Sequence, residues 1–138
     1  MPFQDCVCFK LSKTIRQVTK SYRQKVNEYK LTHGQFFMIV AIMEEDGLLP
    51  SELAGKTAQD RATTTGLLDR LEKDGWIVRR PDKKDRRSLR IFLTPYAEEH
   101  KKPILKLFEK TNQIFLSRFT QEEWGQMQDF LGRLETVS

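Results

Sequence analysis

Cysteine and histidine are scarce in this chain of 138 residues, with two of each. Cys6 and Cys8 are too close together to build an ordinary structural disulfide framework. Cys-x-Cys alone is also a weak metal signal, because structural sites draw on four ligands. His33 and His100 fall in separate segments, and no glycine-rich phosphate loop is present. The carboxylates are scattered among lysines and arginines, as on solvated helix faces. Neither catalysis, nor a cofactor, nor a metal site is expected. No apolar run approaches the roughly 18 residues that a membrane span needs, so no membrane partner is expected. The start, MPFQDCVCF, lacks a charged region followed by an apolar one, and no signal peptide is read there. Few cysteines and no leader point to a cytoplasmic location. Repeats, low-complexity stretches and long linkers are absent, which leaves room for one domain, 1–138, with a modest core.

What the chain has is a dense basic stretch. Residues 76–93 carry seven cations (Arg79, Arg80, Lys83, Lys84, Arg86, Arg87, Arg90) and two anions (Asp82, Asp85). The local balance of +5 equals the formal charge of the whole chain, so the remainder sums to neutral. Short apolar runs flank the charges. This pattern fits a β-hairpin with a charged tip, a shape suited to a groove lined by phosphates.

Around it the periodicity is helical. Residues 8–29 place Leu11, Ile15, Val18, Tyr22, Val26 and Tyr29 on one stripe, with lysines and arginines filling much of the other face. Thr32-His-Gly-Gln35 is a capping-box pattern, with Leu31 and Phe36 placed as a staple. It opens a helix at about 33–44, apolar on most sides, which is expected to be the central core helix. Pro50 opens a short helix at about 50–57, although Leu49 is a poor N-cap. Asp60 caps a helix at about 61–74, stopped by Gly75. Strands are expected near 76–80 and 89–93, a long helix from Thr94-Pro95 to about 117, and a last helix behind the capping box Thr120-Gln-Glu-Glu123.

The order is helix, helix, short helix, helix, hairpin, long helix, helix. The fold class is therefore mainly α with a small β-hairpin: a winged helix-turn-helix with N- and C-terminal dimerisation helices. The winged part covers about 32–93 and the dimerisation helices about 8–29 and 95–136. Phe9, Ile104, Phe108, Phe115, Phe119, Trp124 and Phe130 are many large residues for terminal segments, which favours a homodimer interface over packing within one chain.

If Thr64, Leu67, Leu68 and Leu71 face the core, then Ala62, Thr63, Gly66 and Arg70 face out. Thr63 can then donate to a phosphate or a base edge, Arg70 can reach a phosphate or a guanine, and Arg61 at the helix start can touch the backbone. The competing reading is that Arg61 and Arg70 merely solvate an exposed face. In the hairpin, Arg86 is the foremost candidate, since a guanidinium at the tip can enter a narrow minor groove. Lys83, Lys84 and Arg87 are expected to contact phosphates.

These residues resemble those of the MarR family of bacterial transcription regulators over nearly the whole chain. The most specific element is Asp60-Arg-Ala-Thr-Thr-Thr-Gly-Leu-Leu-Asp-Arg-Leu-Glu-Lys-Asp-Gly75, followed by Trp-Ile-Val-Arg-Arg and then Asp85-Arg86-Arg87. Leu31-Thr-x-x-Gln-Phe36, Glu52-Leu-Ala54 and Leu93-Thr-Pro95 fall in the expected order. The resemblance implies a homodimer on a pseudo-palindromic operator of double-stranded DNA, acting as a repressor released by a small-molecule effector. It also implies that Asp85 orients a neighbouring arginine through a bidentate pair. Family members often carry a larger polar or basic side chain where this chain has Gly66.

Cys8-Phe9 is similar to the start of the first helix in a peroxide-sensing branch of the family, and Tyr22 stands where that branch has a tyrosine partnering the cysteine. The thiolate is the reactive form of cysteine, and helix N-termini favour anions. This resemblance implies an alternative, an oxidant-sensing repressor using Cys8 and Tyr22; Ser12 and His33 replace the other tyrosines of that branch. A winged helix used only for protein contact is the remaining alternative, since fold alone does not fix function.

Overall fold

Local capping chemistry sets most of the element boundaries in the computed structural model, which describes residues 1–136. Helix α1 spans Val7–Val26, and one 3₁₀ turn, Asn27–Tyr29, continues it before Lys30 adopts φ 57°. The helix expected to 29 thus tightens in its last turn, where the left-handed Lys30 reverses the chain. Helix α2 (His33–Glu44) opens on the expected capping box. The Thr32 hydroxyl accepts from the Gln35 N–H at 3.2 Å, and the Gln35 side chain accepts from the Thr32 N–H at 2.9 Å. From Met38 to Met43 every residue of α2 is buried, which makes it the central core helix.

Helix α3 (Pro50–Lys56) starts with Pro50 at its first position. Leu49 offers no side-chain cap; instead Glu52 reaches back to accept from the Leu49 N–H at 2.9 Å. Helix α4 (Arg61–Lys73) is capped by Asp60, which accepts from the Thr63 N–H at 2.7 Å. Its other end is a Schellman motif: Gly75, at φ 81°, donates to the Glu72 carbonyl, and Trp76 donates to the Leu71 carbonyl at 2.9 Å. Trp76 therefore serves the helix end, and the first strand starts one residue later than expected.

Strands β1 (Ile77–Pro81) and β2 (Leu89–Leu93) pair antiparallel, from Ile77 opposite Leu93 to Pro81 opposite Leu89. The loop between α2 and α3 lies along the far side of β2. The Gly47 N–H donates to the Ile91 carbonyl at 2.8 Å, and the Ile91 N–H donates to the Leu48 carbonyl at 2.9 Å. Gly47 sits at φ 83°, and a Cβ there would stand 3.2 Å from the Phe92 ring, so both backbone and space call for glycine. Helix α5 (Pro95–Leu116) is capped by Thr94, whose hydroxyl accepts from the Ala97 N–H and donates to the Gly75 carbonyl at 2.6 Å. It passes through Pro103 on an exposed side, where losing one intrahelical hydrogen bond is offset by water. Helix α6 (Gln121–Glu135) opens on the Thr120–Glu123 capping box.

The chain groups into two units, Met1–Leu105 and a second beginning at Lys106, with the boundary inside α5. In the first unit α1 and α4 both pack on α2. Tyr22 of α1 stands against Phe36 and Phe37, with ring centroids 6.3 Å and 5.1 Å away. Tyr29, Trp76, Tyr96 and His100 form an aromatic cluster that ties the hairpin base to the start of α5 and the end of α1. The apolar stripe of α1 divides along its length: Tyr22 and Val26 are buried, whereas Leu11 and Ile15 are 41% and 58% exposed. In the second unit Phe130 and Leu134 of α6 are exposed.

Candidate nucleic-acid interface

The outward face of α4 follows from its inward one. Thr64, Leu67, Leu68 and Leu71 are buried, and this leaves Arg61, Ala62, Thr63 and Arg70 exposed with Gly66 half-buried. Ala62, Thr63, Gly66, Leu67 and Arg70 line a shallow groove of about 370 Å³. Gly66 gives this groove its floor, and a Cβ at that position would meet nothing within 4 Å. The Thr63 hydroxyl, expected to face a phosphate or base, here donates to the second Asp60 carboxylate oxygen at 3.0 Å. The Thr63 backbone N–H and hydroxyl together hold the Asp60 carboxyl below the usual carboxylate range. Arg61 lines a separate depression with Pro50, Ser51, Thr64 and Thr65, at the mouth between α3 and α4.

The hairpin divides its seven cations into two sets. Arg79, Arg80 and Arg90 hold the strands in place. Arg79 of β1 donates to Asp69 at 2.8 Å and to Glu72 at 2.7 Å, so it fastens the strand to α4, and its side chain is only 18% exposed. Arg90 of β2 donates to Asp82 at 2.5 Å and to the Gly47 carbonyl at 2.8 Å, with Glu52 of α3 at 3.7 Å. Arg80 lies over the Phe92 ring of the opposite strand, 5.4 Å from its centroid.

Lys83, Lys84, Arg86 and Arg87 form the second set, and all four are exposed at the tip. Lys83, Lys84 and Arg86 have no ion pair among the described residues. The two aspartates of the tip are occupied by its own backbone. One Asp82 oxygen accepts from the Lys84 and Asp85 N–H groups at 3.2 Å and 3.0 Å. Asp85 accepts from the Arg87 N–H at 3.1 Å and from the Ser88 hydroxyl at 3.3 Å. The bidentate pair expected of Asp85 is not formed among the described residues: the guanidinium contact it has is the Arg87 Nε at 3.5 Å, and the Arg87 side chain is 95% exposed. Asp82 does hold an arginine, because Arg90 lies directly across the ladder from Arg80 and reaches back over the turn. Hydrogen bonds from Arg90 and from the turn keep the Asp82 carboxyl below its ordinary range, and Asp82 in turn raises Arg90.

Sequence reasoning thus missed Arg79, Asp82 and Arg90 as positioning residues. For Asp82 a signal was present: Asp-Lys-Lys-Asp is a turn sequence whose first side chain commonly accepts from the backbone two residues on. Arg79 and Arg90 reach other elements, and no local spacing announces that.

Cys6 and Cys8 are free, with Cys8 exposed in the first turn of α1. Tyr22 is buried, and burial raises its phenol pKa. Both residues lie on α1, fourteen positions apart, which at 1.5 Å per residue is about 21 Å. They do not meet within one protomer.

Three comparisons bear on this arrangement. The sequence profile of the MarR family matches residues 31–89. The HTH-type transcriptional regulator SarZ of Staphylococcus aureus (strain USA300) is 31% identical over 109 residues, covering 79% of this chain and 74% of SarZ. Among solved structures, BpsR of Bordetella bronchiseptica, whose DNA binding is regulated by 6-hydroxynicotinic acid, superposes with a TM-score of 0.86 at 21% identity, covering 100% and 99% of the two chains. MepR of S. aureus, solved in complex with DNA, gives 0.85 at 22% identity over 95% and 97%. At such identities the two structures speak for the fold, and the SarZ match carries the kinship. The chain belongs to the MarR family of winged-helix transcriptional regulators.

Proposed function

We propose that the protein is a sequence-specific repressor that binds double-stranded DNA as a homodimer. In this reading α4 enters the major groove and the hairpin tip enters the adjacent minor groove. The observation that carries it is the division of labour in the hairpin. Arg79 holds the wing to α4, Arg90 holds it to Asp82 and the α2–α3 loop, Arg80 covers Phe92, and both aspartates bond the turn backbone. This leaves Lys83, Lys84 and Arg86 displayed without an ion pair among the described residues and Arg87 with only a 3.5 Å contact to Asp85. Such a rigid cationic projection supplies the sequence-independent part of the affinity. Thr63 and Arg70 on the exposed face of α4 would provide direct readout, and Arg61 a backbone contact. Thr63 must first exchange its bond to Asp60 for one to DNA.

A pseudo-palindromic site needs two copies of this surface at a fixed separation. The exposed Phe3, Leu11, Ile15, Ile114, Phe119, Phe130 and Leu134 supply apolar surface for the interface between copies. Small-molecule release fits the same scheme: a ligand that favours a dimer with the wrong separation between recognition helices lowers operator affinity. The regulation of BpsR by 6-hydroxynicotinic acid is a precedent within the fold. The reading is tested by selecting bound duplexes from a random-sequence pool. An enriched inverted repeat, with half-sites about one helical turn apart, supports it. A pool that remains random after selection contradicts it. Within the selected site, Arg86→Ala is expected to weaken binding by about 1–3 kcal/mol, with unchanged affinity at moderate salt removing the wing from the interface.

One observation favours an oxidant-sensing version of this repressor, the exposure of Cys8 at the start of α1. Any contact with Tyr22 would have to come from a second copy of the chain. Mass spectrometry after mild peroxide tests it: an oxidised Cys8 together with loss of DNA binding is the expected result, and an unmodified thiol ends the idea.

A further inference from the structure

The neutral remainder of the chain conceals a second cationic surface. No carboxylate occurs between Asp5 and Glu28, while α1 carries six lysines and arginines. Lys13, Arg16, Lys20 and Arg23 are spaced three, four and three residues apart, so they form one stripe on the side of α1 opposite Tyr22. All four are exposed, and none has an ion pair among the described residues. The polar side chains beside them, Gln17 and Gln24, are exposed amides.

We propose that this stripe is a second, sequence-independent binding surface for duplex DNA, reached by a segment other than the one held by α4 and the wing. The composition selects the partner. Cations interleaved with amides are what phosphate-contacting surfaces use, and an acidic protein partner would more often meet a face of mixed sign. A lipid surface fits less well. An amphipathic helix lies in a bilayer by burying its apolar face, whereas Tyr22 and Val26 of α1 are already buried within the protein and the exposed Leu11 and Ile15 are assigned to the interface between copies.

The packing around α2 selects the segment. Phe36 and Phe37 meet α1 through Tyr22. Gln35 bonds Asp74 just past α4, and Gly34 faces Leu67 of α4, where an added Cβ would stand 3.3 Å from the Leu67 side chain. At 3.6 residues per turn, Gly34 stands roughly 160° from Phe36 around α2 and Gln35 roughly 160° from Phe37, while Gly34 and Phe37 are neighbours on one face. The stripe lies on the side of α1 away from Tyr22 and α2, and its cations are on a different element from those of α4 and the wing, so a duplex held by it is assigned to a second segment. Ten residues of helix span about 15 Å, roughly the axial rise of four phosphates on one strand.

The affinity of the α1 stripe for duplex does not depend on the operator reading; that it holds a second segment does. A sandwich assay tests it, with the DNA upstream of the protein's own gene immobilised, the protein added, and a labelled scrambled duplex added last at low salt. The expected result is capture of the labelled duplex by the wild-type protein, with loss of at least about tenfold in the variant Lys13→Gln/Arg16→Gln/Lys20→Gln/Arg23→Gln and retention in Lys13→Arg/Lys20→Arg, because duplex affinity scales with the number of phosphates neutralised. Circular dichroism checks that the variants are folded. Equal capture by the four-fold glutamine variant overturns the proposal, as does the absence of capture by wild type. Stronger wild-type binding to phosphatidylserine vesicles than to duplex at equal phosphate overturns the choice of DNA. If the immobilised DNA is not bound, the operator reading is what has failed at that site. The stripe is then tested directly in protein with Lys83, Lys84, Arg86 and Arg87 changed to glutamine: residual binding to scrambled duplex must vanish when the stripe is removed as well, and persistence overturns the proposal.

Discussion

Asp82 places one carboxylate between the wing's backbone and the wing's anchor. It accepts from the Lys84 and Asp85 N–H groups and from the Arg90 guanidinium, all of which favour the charged form. Its folded pKa lies below the reference value of 3.8. The stabilisation is therefore complete above that value and is lost as pH falls through the folded pKa. In an NMR titration the Lys84 and Asp85 amide resonances are expected to move with a midpoint below 3.8, and a midpoint at or above it contradicts the assigned bonds. Gly66 gives a second prediction at this scale. It sits inside α4 with open space where a Cβ would go. Gly66→Ala is expected to raise stability by about 0.5–1 kcal/mol, since glycine costs that much in a helix interior. A denaturant midpoint that falls instead would mean that this backbone is under a constraint the free protein does not display.

Among the elements, those closed by neighbouring residues were legible in the sequence. The capping boxes at Thr32 and Thr120, the Asp60 cap and the Gly75 stop depend on partners within five residues, and each lies where the sequence put it. The hairpin was legible because two apolar runs flank its charges. What escaped were the side-chain contacts by which the hairpin reaches other elements. Nothing in the spacing of Arg79, Asp69 and Glu72 says that a strand arginine will reach back along the preceding helix. The same holds for Arg90 and the carbonyl of Gly47, 43 positions away. The bond of the outward-facing Thr63 hydroxyl to Asp60, three residues back, is one that the spacing allowed but did not single out. The Arg79 clamp can be measured by a double-mutant cycle with Arg79→Gln and Asp69→Asn. Because Asp69 is largely exposed, the coupling expected is about 0.5–1 kcal/mol. A coupling of zero would show that packing alone, and not this pair, sets the wing against α4.

At the scale of the chain, both units display surface that invites a partner. The hairpin tip and the outer face of α1 each display several cations that have no ion pair among the described residues, while Leu11, Ile15, Phe130 and Leu134 leave large apolar side chains in water in the single chain. A 138-residue chain has few ways to cover such residues, and association with a second copy is the simplest. Sedimentation equilibrium is expected to give a dimer at micromolar concentration, and a stable folded monomer would remove the basis for reading two half-sites. The account rests above all on selective binding to DNA. Its most direct test is an anisotropy titration of the purified protein against the duplex upstream of its own gene, beside a scrambled duplex, over a salt series. The account predicts tight binding at two chains per site that exceeds the scrambled duplex by about a thousandfold or more and is lost from the scrambled duplex first as salt rises. Weak binding, equal for both duplexes and abolished together by salt, would contradict it.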